Sequence, residues 1–402
     1  MRARIVRSDE MHKVELISSV AFEVPWERPK EAEKKEEKKA EADKPQDRWT
    51  WWLSEDGDAF CGCVGVLTLD VRFDGHIVSM GGVGGVATLP EHRRKGAIRV
   101  CMDAALKKMY ADGDVFSVLY PFSRAYYRQF GYEDGASMIR WTMPFASMKL
   151  PEAGGTMQLI LPGDDLSPVH EVYNACAESW NLAAAPSRWL TRLDGQSWMK
   201  DKRYLYLWRD ENGVPGGFML FSKSGGVMNC TASFGLENAL MFRDVRALTA
   251  LLRFAKGFAA DYESIRFDVP QGVRVQSLIS EGNDVKGEHF YNCMARLVNV
   301  KRALELCRTE GEGSLVISVA DGILPENDGA WKVTFNPSGE NLVERTAEAP
   351  DASMPVGELT QLLLGVCTAS DLPMMLRVRL LNPSAPFTRI FLPKPCHILD
   401  LF

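Results

Sequence analysis

No stretch of the 402 residues approaches the roughly 18 uncharged apolar residues of a membrane span, so no span is expected. The first residues, "MRARIVRSDEMHKVELISSV", are basic in places. They lack the continuous apolar core and small-residue cleavage site of a secretory leader. The nine cysteines are an odd number and contain no C-x-x-C pair. Cys61 and Cys63 are two apart, which is strand spacing and not a metal knuckle. They read as reduced core residues of a cytoplasmic protein. The six histidines (His12, His76, His92, His170, His289, His397) form no metal-ligand spacing, so no metal is expected. The net charge of −6 lacks the basic footprint that a nucleic-acid binder needs. No Gly-x-Ser-x-Gly elbow is present, which argues against serine hydrolase chemistry.

What remains is an ordinary globular composition, 46% apolar and 25% charged, in a chain long enough for two to four domains. Arg2–Arg7 alternates like a short strand, and Ser8 is placed to cap a helix through about Phe22. Residues 27–47, "ERPKEAEKKEEKKAEADKPQD", carry nearly balanced charge between two prolines. They read as a solvated helix or disordered insertion, with a mobile lid or partner handle as the functional alternative. Three alternating runs between residues 50 and 89, broken at Asp56-Gly57 and Asp74-Gly75, predict an antiparallel meander. A helix follows, with Ile98, Met102, Leu106 and Met109 on one face. "VFSVLY" reads as a strand, and "PFSRAYYRQFGYE" as a short helix ending at Gly131.

From about Thr156 the pattern begins again. A strand, two helices, three strands, a helix over about 243–260 and a strand near 265–269 echo residues 1–150, so this is a candidate degenerate internal copy. The tail opens with "CMARLVNVKRALELC", read as one helix. Strands follow at "GSLVISVADG" and "GAWKVTFNPSG", then a helix at "PVGELTQLLLGV" and a final strand at "RIFLPKP". The fold class expected is α+β with mixed sheets, in domains 1–150, 151–288 and 289–402.

The block that carries chemistry is "VGGVATLPEHRRKGAIRV", residues 83–100. A strand runs into Arg93-Arg94-Lys95-Gly96, where a helix starts. A helix N-terminus presents unpaired N–H groups and the positive end of the dipole, which suits a pyrophosphate. The spacing fits neither a Walker A loop nor a dinucleotide fingerprint. It resembles the acetyl-CoA loop of the GNAT superfamily of N-acetyltransferases. Together with Tyr127-Arg128-Gln129-Phe130-Gly131-Tyr132 it resembles, more narrowly, the enhanced intracellular survival type. That type has two tandem GNAT-type domains, the second degenerate, followed by a sterol-carrier-protein-like α+β domain. "ILPENDGAWKVTF" in the tail fits the same plan.

The resemblance implies roles. Val86, Ala87 and Thr88 would hydrogen-bond the pantetheine arm of acetyl-CoA. Arg93, Arg94, Lys95, Gly96, Ala97 and Ile98 would cradle its pyrophosphate, and Phe122 and Ser123 would lie along it. Tyr127 would be the general acid, with Tyr126 as its neighbour. The α-carboxylate of Phe402, at the end of "CHILDLF", would be the general base. Such a carboxyl has a pKa of about 3.3–3.7 in water, so it would need burial or a relaying water. Glu23, Glu27 and Asp400 are candidates for acidic lining, and Trp26 and Trp52 for a substrate cleft. His397 could assist proton transfer. The acceptor would be the primary amine of a cationic small molecule, such as an aminoglycoside or polyamine, or a lysine. The implied assembly is a homo-oligomer, a hexamer. The competing class is a lipid- or small-molecule-binding sensor with a vestigial acetyltransferase site.

Overall fold

The computed structural model describes residues 1–27, 48–195, 197–233, 236–279, 284–336 and 339–402. All of the charged segment 27–47 after Glu27 lies outside the described residues.

The chain begins with β1 (Arg2–Ile5) and a helix, Met11–Phe22, followed by β2 (Trp49–Asp56), β3 (Ala59–Phe73) and β4 (His76–Thr88). Ser8 opens a single 3-10 turn, and the helix proper starts at Met11 with no side-chain cap. Strands β2–β4 form the expected meander. The β3–β4 hairpin closes on Asp74 and Gly75, with φ of 48° and 89°, the left-handed pair that a tight hairpin turn requires. Helix Ala97–Asp112 crosses the sheet and returns as β5 (Phe116–Leu119), parallel to β4. Its buried face carries Ile98, Met102, Leu106 and Met109, the stripe that the 3.6-residue period predicts. A short helix, Arg124–Arg128, and β6 (Glu133–Asp134) follow.

The second unit comprises β7 (Ser137–Pro144), β8 (Thr156–Ile160), β9 (Arg203–Arg209), β10 (Pro215–Ser224), β11 (Val227–Cys230), the small pair β12 (Ala232–Ser233) and β13 (Leu236–Glu237), β14 (Ala239–Phe242), β15 (Ser264–Pro270) and β16 (Lys286–Tyr291). The order across its sheet is β16-β7-β15-β11-β10-β9-β8. Parallel β11 and β15, joined through helix Val245–Lys256, repeat the β4–helix–β5 arrangement of the first unit. The two differ at the helix N-terminus. Here Asp244 caps the helix, its carboxylate accepting the Ala247 N–H at 2.8 Å. A negative charge stands where the first copy has its basic loop, so this end repels phosphate.

Two strands change sheets. β7 follows β6 directly but joins the second sheet, and β17 (Met294–Leu297) returns to the first, giving the order β1-β2-β3-β4-β5-β17-β6. The sheets therefore do not divide at residues 150 and 288. The crossing segments bond to each other, Gly135 N–H to Cys293 O at 2.8 Å and Asn292 N–H to Ala136 O at 2.8 Å. A Cβ on Gly135 would lie 2.9 Å from Cys293 Sγ, so the crossing needs glycine. The helix expected over 293–307 is corrected accordingly: it spans only Val300–Leu306, capped by Asn299. Met294–Leu297 is four consecutive buried residues in a strand covered on both faces, a pattern that periodicity alone cannot tell from helix.

The third unit has β18 (Gly313–Ala320), β19 (Gly329–Phe335), β20 (Leu342–Arg345), β21 (Ala352–Pro355), helix Val356–Leu364 and β22 (Arg379–Leu380), in sheet order β20-β19-β18-β21-β22. Its helix shares one core with the first sheet, in which Leu359 and Leu363 join Phe73 and Phe116. The buried Arg296 guanidinium meets Asp321 at 2.5 Å across this boundary. "RIFLPKP" is not a strand: a 3-10 turn covers Phe387–Arg389, and Pro393 and Pro395 lack the N–H that a ladder needs. The chain instead continues as an irregular tail docked against the first two units. All nine cysteines are free and eight are buried.

Candidate active site

The site is built on a fork. Strands β4 and β5 pair from Met80–Phe116 to Val83–Leu119 and then part, while β4 continues to Thr88 against β3. Leu89 N–H donates to Cys61 O at 2.9 Å. In an antiparallel ladder bonded pairs alternate, so Ala87 is bonded to Cys63, its register partner, and Thr88 turns its backbone into the fork. Val86 lies beside the irregularity in the register opposite Val64. Thr88 therefore has free backbone groups for a ligand in the fork, whereas those of Ala87 are engaged by β3.

At the far end of β4, Arg93, Arg94 and Lys95 are exposed and precede Gly96. Arg94 has φ 61° and Gly96 φ 85°, and nothing lies within 4 Å of a Cβ built on Gly96. The 16-residue helix Ala97–Asp112 starts there with no side chain capping its first turn. Open N–H groups, an open approach and three cations make a cradle suited to a pyrophosphate. Ala97 and Ile98 form its first turn, with their side chains buried beneath it.

Tyr127 lies in the short helix after β5 and is 2% exposed. Ser123 caps that helix, accepting the Tyr126 N–H at 3.3 Å, so it holds the segment in place. Phe122 is 72% exposed and packs its ring on Tyr126 and Tyr127 at 5.4 and 5.3 Å. The Tyr127 hydroxyl has no hydrogen-bond partner among the described residues. Burial pushes its pKa well above the usual phenol range, with Tyr126 and Tyr132 adding to the effect. It is a protonated donor with nothing to donate to.

The chain end approaches the same fork from the other side. The Phe402 ring fills the space over Gly82, where a Cβ would come within 2.7 Å of it, and lies 5.2 Å from the Tyr120 ring. The Phe402 carbonyl carbon and oxygen are each 3.5 Å from a Cβ built on Gly84. Residues 82 and 84 share one face of β4, and Val83 faces the other, in a core that includes Tyr127. Tyr127 and Phe402 thus stand on opposite faces of the sheet at the fork. The Phe402 carboxylate has no ion pair or hydrogen bond among the described residues.

The tail is pinned at several points. Asn292 Nδ2 donates to Ile398 O at 2.8 Å, Tyr120 hydroxyl to Asp400 O at 2.7 Å, and Arg192 Nη1 to Leu401 O at 3.1 Å. Asp400, a candidate for acidic lining, is fully buried away from the fork. Its carboxylate accepts from Trp189 N–H at 2.7 Å and from the Ser187 hydroxyl at 3.1 Å. It is a staple to the second unit. Glu23 and Glu27 are exposed, and Glu23 closes the first helix in the left-handed region. His397 is buried, its Nδ1 has no partner among the described residues, and burial pushes its pKa down to about 4.

Trp52 is a core residue, as "WTWW" mainly reads, and not the cleft residue of the alternative: it is buried beneath helix Ala97–Asp112. The neighbouring Trp49 and Trp51 occupy the other face, where Trp49 covers Gly65 and Gly84 and Trp51 covers Gly85. Their rings are stacked with centroids 5.4 Å apart. Trp26 is half-buried, with its indole nitrogen unpartnered among the described residues. Sequence reasoning missed Trp49, Trp51, Tyr120 and the seats at Gly82 and Gly84. The signals were there in "WTWW", whose alternate members must face opposite ways, and in "GGVGG", whose missing side chains leave room for the tail.

Comparison with known proteins agrees with this fold. A family model described as "Acetyltransferase (GNAT) domain" matches residues 2–135, and one described as "Sterol carrier protein domain" matches residues 300–397. An uncharacterized N-acetyltransferase of Streptomyces avermitilis is 25% identical over 351 residues, covering 82% of this chain and 83% of its own length. A probable N-acyltransferase from Enterococcus faecalis superposes with a TM-score of 0.82 at 19% identity, over 100% of this chain and 99% of its own. Eis1 from Mycobacterium abscessus superposes with a TM-score of 0.77 at 18% identity, over 100% and 99%. At those identities the two structures speak for the fold.

Proposed function

We propose that the chain is a GNAT-type N-acetyltransferase on the Eis-type plan, with a sterol carrier protein domain after its tandem acetyltransferase folds, and that it acetylates a primary amine with Tyr127 as general acid and the Phe402 carboxylate as general base. The observation that carries this reading is the placement of these two groups on opposite faces of one fork, at Val83 and Gly84 respectively.

The residues present fit acetyl-CoA, the acyl donor of GNAT acetyltransferases. Arg93–Gly96 and the start of helix Ala97–Asp112 would hold its pyrophosphate, and the outward backbone of β4 its pantetheine. When bound, it supplies an electrophilic thioester carbonyl. Phe402 lies on the face from which an amine would approach, and its carboxylate accepts the amine's proton directly or through one water. The Phe402 ring, seated over Gly82 and against Tyr120, fixes where that carboxylate stands. Tyr127, on the other face, holds a proton for the departing sulfur. The dry surroundings that raise the phenol's pKa would raise a thiolate's as well, so the two stay matched. Backbone N–H groups at the fork polarise the carbonyl.

The acceptor in this reading is a small cationic amine, of polyamine or aminoglycoside type, or a lysine side chain. Trp49, Trp51, Tyr120 and Phe402 offer ring faces to a cation, and this aromatic wall takes over the recognition that the sequence assigned to carboxylates. Cytoplasmic residence, supported by the nine unpaired cysteines, and hexameric assembly belong to the same proposal. The deciding experiment follows thiol release from acetyl-CoA with a panel of polyamines. One variant carries an extra serine after Phe402, which moves the carboxylate off Gly84. Turnover is expected to fall by about 10²–10⁴-fold. Unchanged turnover refutes the base, and no release by the wild type across the panel refutes the enzyme reading.

A further inference from the structure

The second sheet has its own fork. Strands β11 and β15 pair as far as Cys230–Phe267, and beyond that point lies a cavity of about 220 Å³. Cys230, Asn238 and Asp268 line it from the second unit, Leu399 and Leu401 from the tail, and Tyr120, whose ring also meets Phe402, closes it on the side of the first fork. A neighbouring cavity of about 330 Å³, bounded also by Trp180 and Gln271, shares His397, Asp268, Leu240 and Met241 with it, so these residues form a common partition.

Two buried side chains in this wall each carry one polar atom with no partner among the described residues. Asn238 is 0% exposed, and its Nδ2 donates to Ser222 Oγ at 3.0 Å and Asn229 O at 2.9 Å. Those bonds fix the amide and leave Oδ1 buried with no donor among the described residues. His397 is 6% exposed, and its Nδ1 likewise has no partner among the described residues. A buried polar atom without a partner is costly, and two in one cavity wall call for an occupant that satisfies them. The charges in the wall are already matched: Arg140 Nε and Nη2 meet the two Asp268 oxygens, each at 2.8 Å. An ionic guest would have to break that pair, whereas a neutral guest leaves it intact. The cavity exceeds the roughly 150 Å³ that accommodates benzene, so a bicyclic aromatic fits.

We propose that this cavity is a second small-molecule site, taking a neutral, largely apolar aromatic with one N–H or O–H group, of the indole or phenol class, whose binding braces the tail that carries Phe402. The guest's N–H or O–H meets Asn238 Oδ1 or His397 Nδ1, and its ring rests on Leu240, Ile398 and Leu399. The tail residues that form this wall are continuous with Phe402 at the first fork, so an occupied second fork stiffens the chain end at the first.

The test uses indole, with benzofuran as the same shape lacking the N–H. Wild-type crystals soaked in indole are expected to show it in this cavity. In solution, indole is expected to slow amide exchange at Leu399–Phe402 and to bind about tenfold more tightly than benzofuran, one hydrogen bond's worth. In Asn238→Leu that difference should narrow. No indole binding up to its solubility limit, binding elsewhere, or ordered waters that indole fails to displace would each overturn the site. Should Asn238→Leu fail to fold, the wild-type soak decides alone. None of these readouts depends on acetyl transfer, so this proposal and the catalytic one fail separately.

Discussion

The Asp400 carboxylate accepts the Trp189 backbone N–H at 2.7 Å, and that bond ties the last residues of the chain to the second unit. The Ser187 hydroxyl reaches the same carboxylate at 3.1 Å, and Arg192 holds the next carbonyl. The second unit, whose own helix N-terminus is capped by Asp244, thus anchors the chain end that carries Phe402, the proposed base.

Asp400→Ala is expected to release the tail. It should lower kcat by tenfold or more, on the order of the general-base contribution, with KM for acetyl-CoA little changed. Asp400→Asn keeps an acceptor for Trp189 and should retain most of the rate. Their pH dependence separates them further. Burial raises the pKa of Asp400 above the ordinary carboxylate value, outweighing its hydrogen bonds. The native state therefore prefers the protonated form. That stabilisation is complete below the ordinary carboxylate pKa and is lost as pH rises through the raised one. Asp400→Asn removes the loss, so its Tm relative to wild type should climb from acid to neutral pH in thermal melts.

Tyr127→Phe removes a hydroxyl that has no hydrogen-bond partner among the described residues, so little stability should be lost. Turnover should fall by about 10²–10³-fold with KM for the amine nearly unchanged. Because the phenol's pKa is raised, it stays protonated through the alkaline range, and the wild-type rate should show no alkaline fall attributable to it below about pH 10. Equal turnover of wild type and Tyr127→Phe in steady-state thiol release would remove Tyr127 from the mechanism.

Gly84→Val puts branched carbons where Phe402 and Trp49 now lie, 3.5 and 3.1 Å from the built Cβ. The tail and the sheet cannot both keep their places, and the irregular tail is the part that yields. The expected outcome is a folded protein with turnover down about 10²-fold or more and faster amide exchange over Leu399–Phe402. Gly75→Ala, a substitution at a positive-φ turn glycine with open space around it, serves as the control and should cost only stability.

Much of this was legible in the sequence, and the gaps have physical causes. The β4–loop–helix of the first unit is written in local signals: alternation, Gly96 and a helical stripe. The strand at Met294–Leu297 was taken for helix because its partners, β5 and β6, lie more than 150 residues away and cover both of its faces, which erases the period of two. "WTWW" reads mainly as core, which holds for Trp52, but alternation says only which tryptophans share a face and not that the face of Trp49 and Trp51 meets the fork. Asp400 looked like a charge for a substrate because a carboxylate two residues from a catalytic end is suggestive. Its true partners, Ser187 and Trp189, become neighbours only in the folded chain. The glycine run "GGVGG" was read for its failure to match a nucleotide fingerprint, when its meaning is steric: it is the seat of Phe402.

The basic loop gives the last test, one that separates charge from shape. Arg93, Arg94 and Lys95 are exposed cations at the start of a helix with no side-chain cap. If they hold a pyrophosphate, their contribution is Coulombic and sensitive to salt, whereas the Gly96 turn and the helix N–H groups contribute through short, directed bonds. Arg93→Gln and Lys95→Gln should each raise KM for acetyl-CoA by roughly 3–10-fold at low ionic strength, an effect near 1 kcal/mol, with kcat retained. The gap from wild type should close as salt shortens the Debye length from about 10 Å at 0.1 M to about 3 Å at 1 M. Gly96→Val, by contrast, forces a β-branched residue into φ 85°, and its higher KM should persist at high salt. Initial-rate measurements of KM against ionic strength for these three variants read both effects. A salt-independent defect in Arg93→Gln and Lys95→Gln would mean that the loop acts through packing and not through charge.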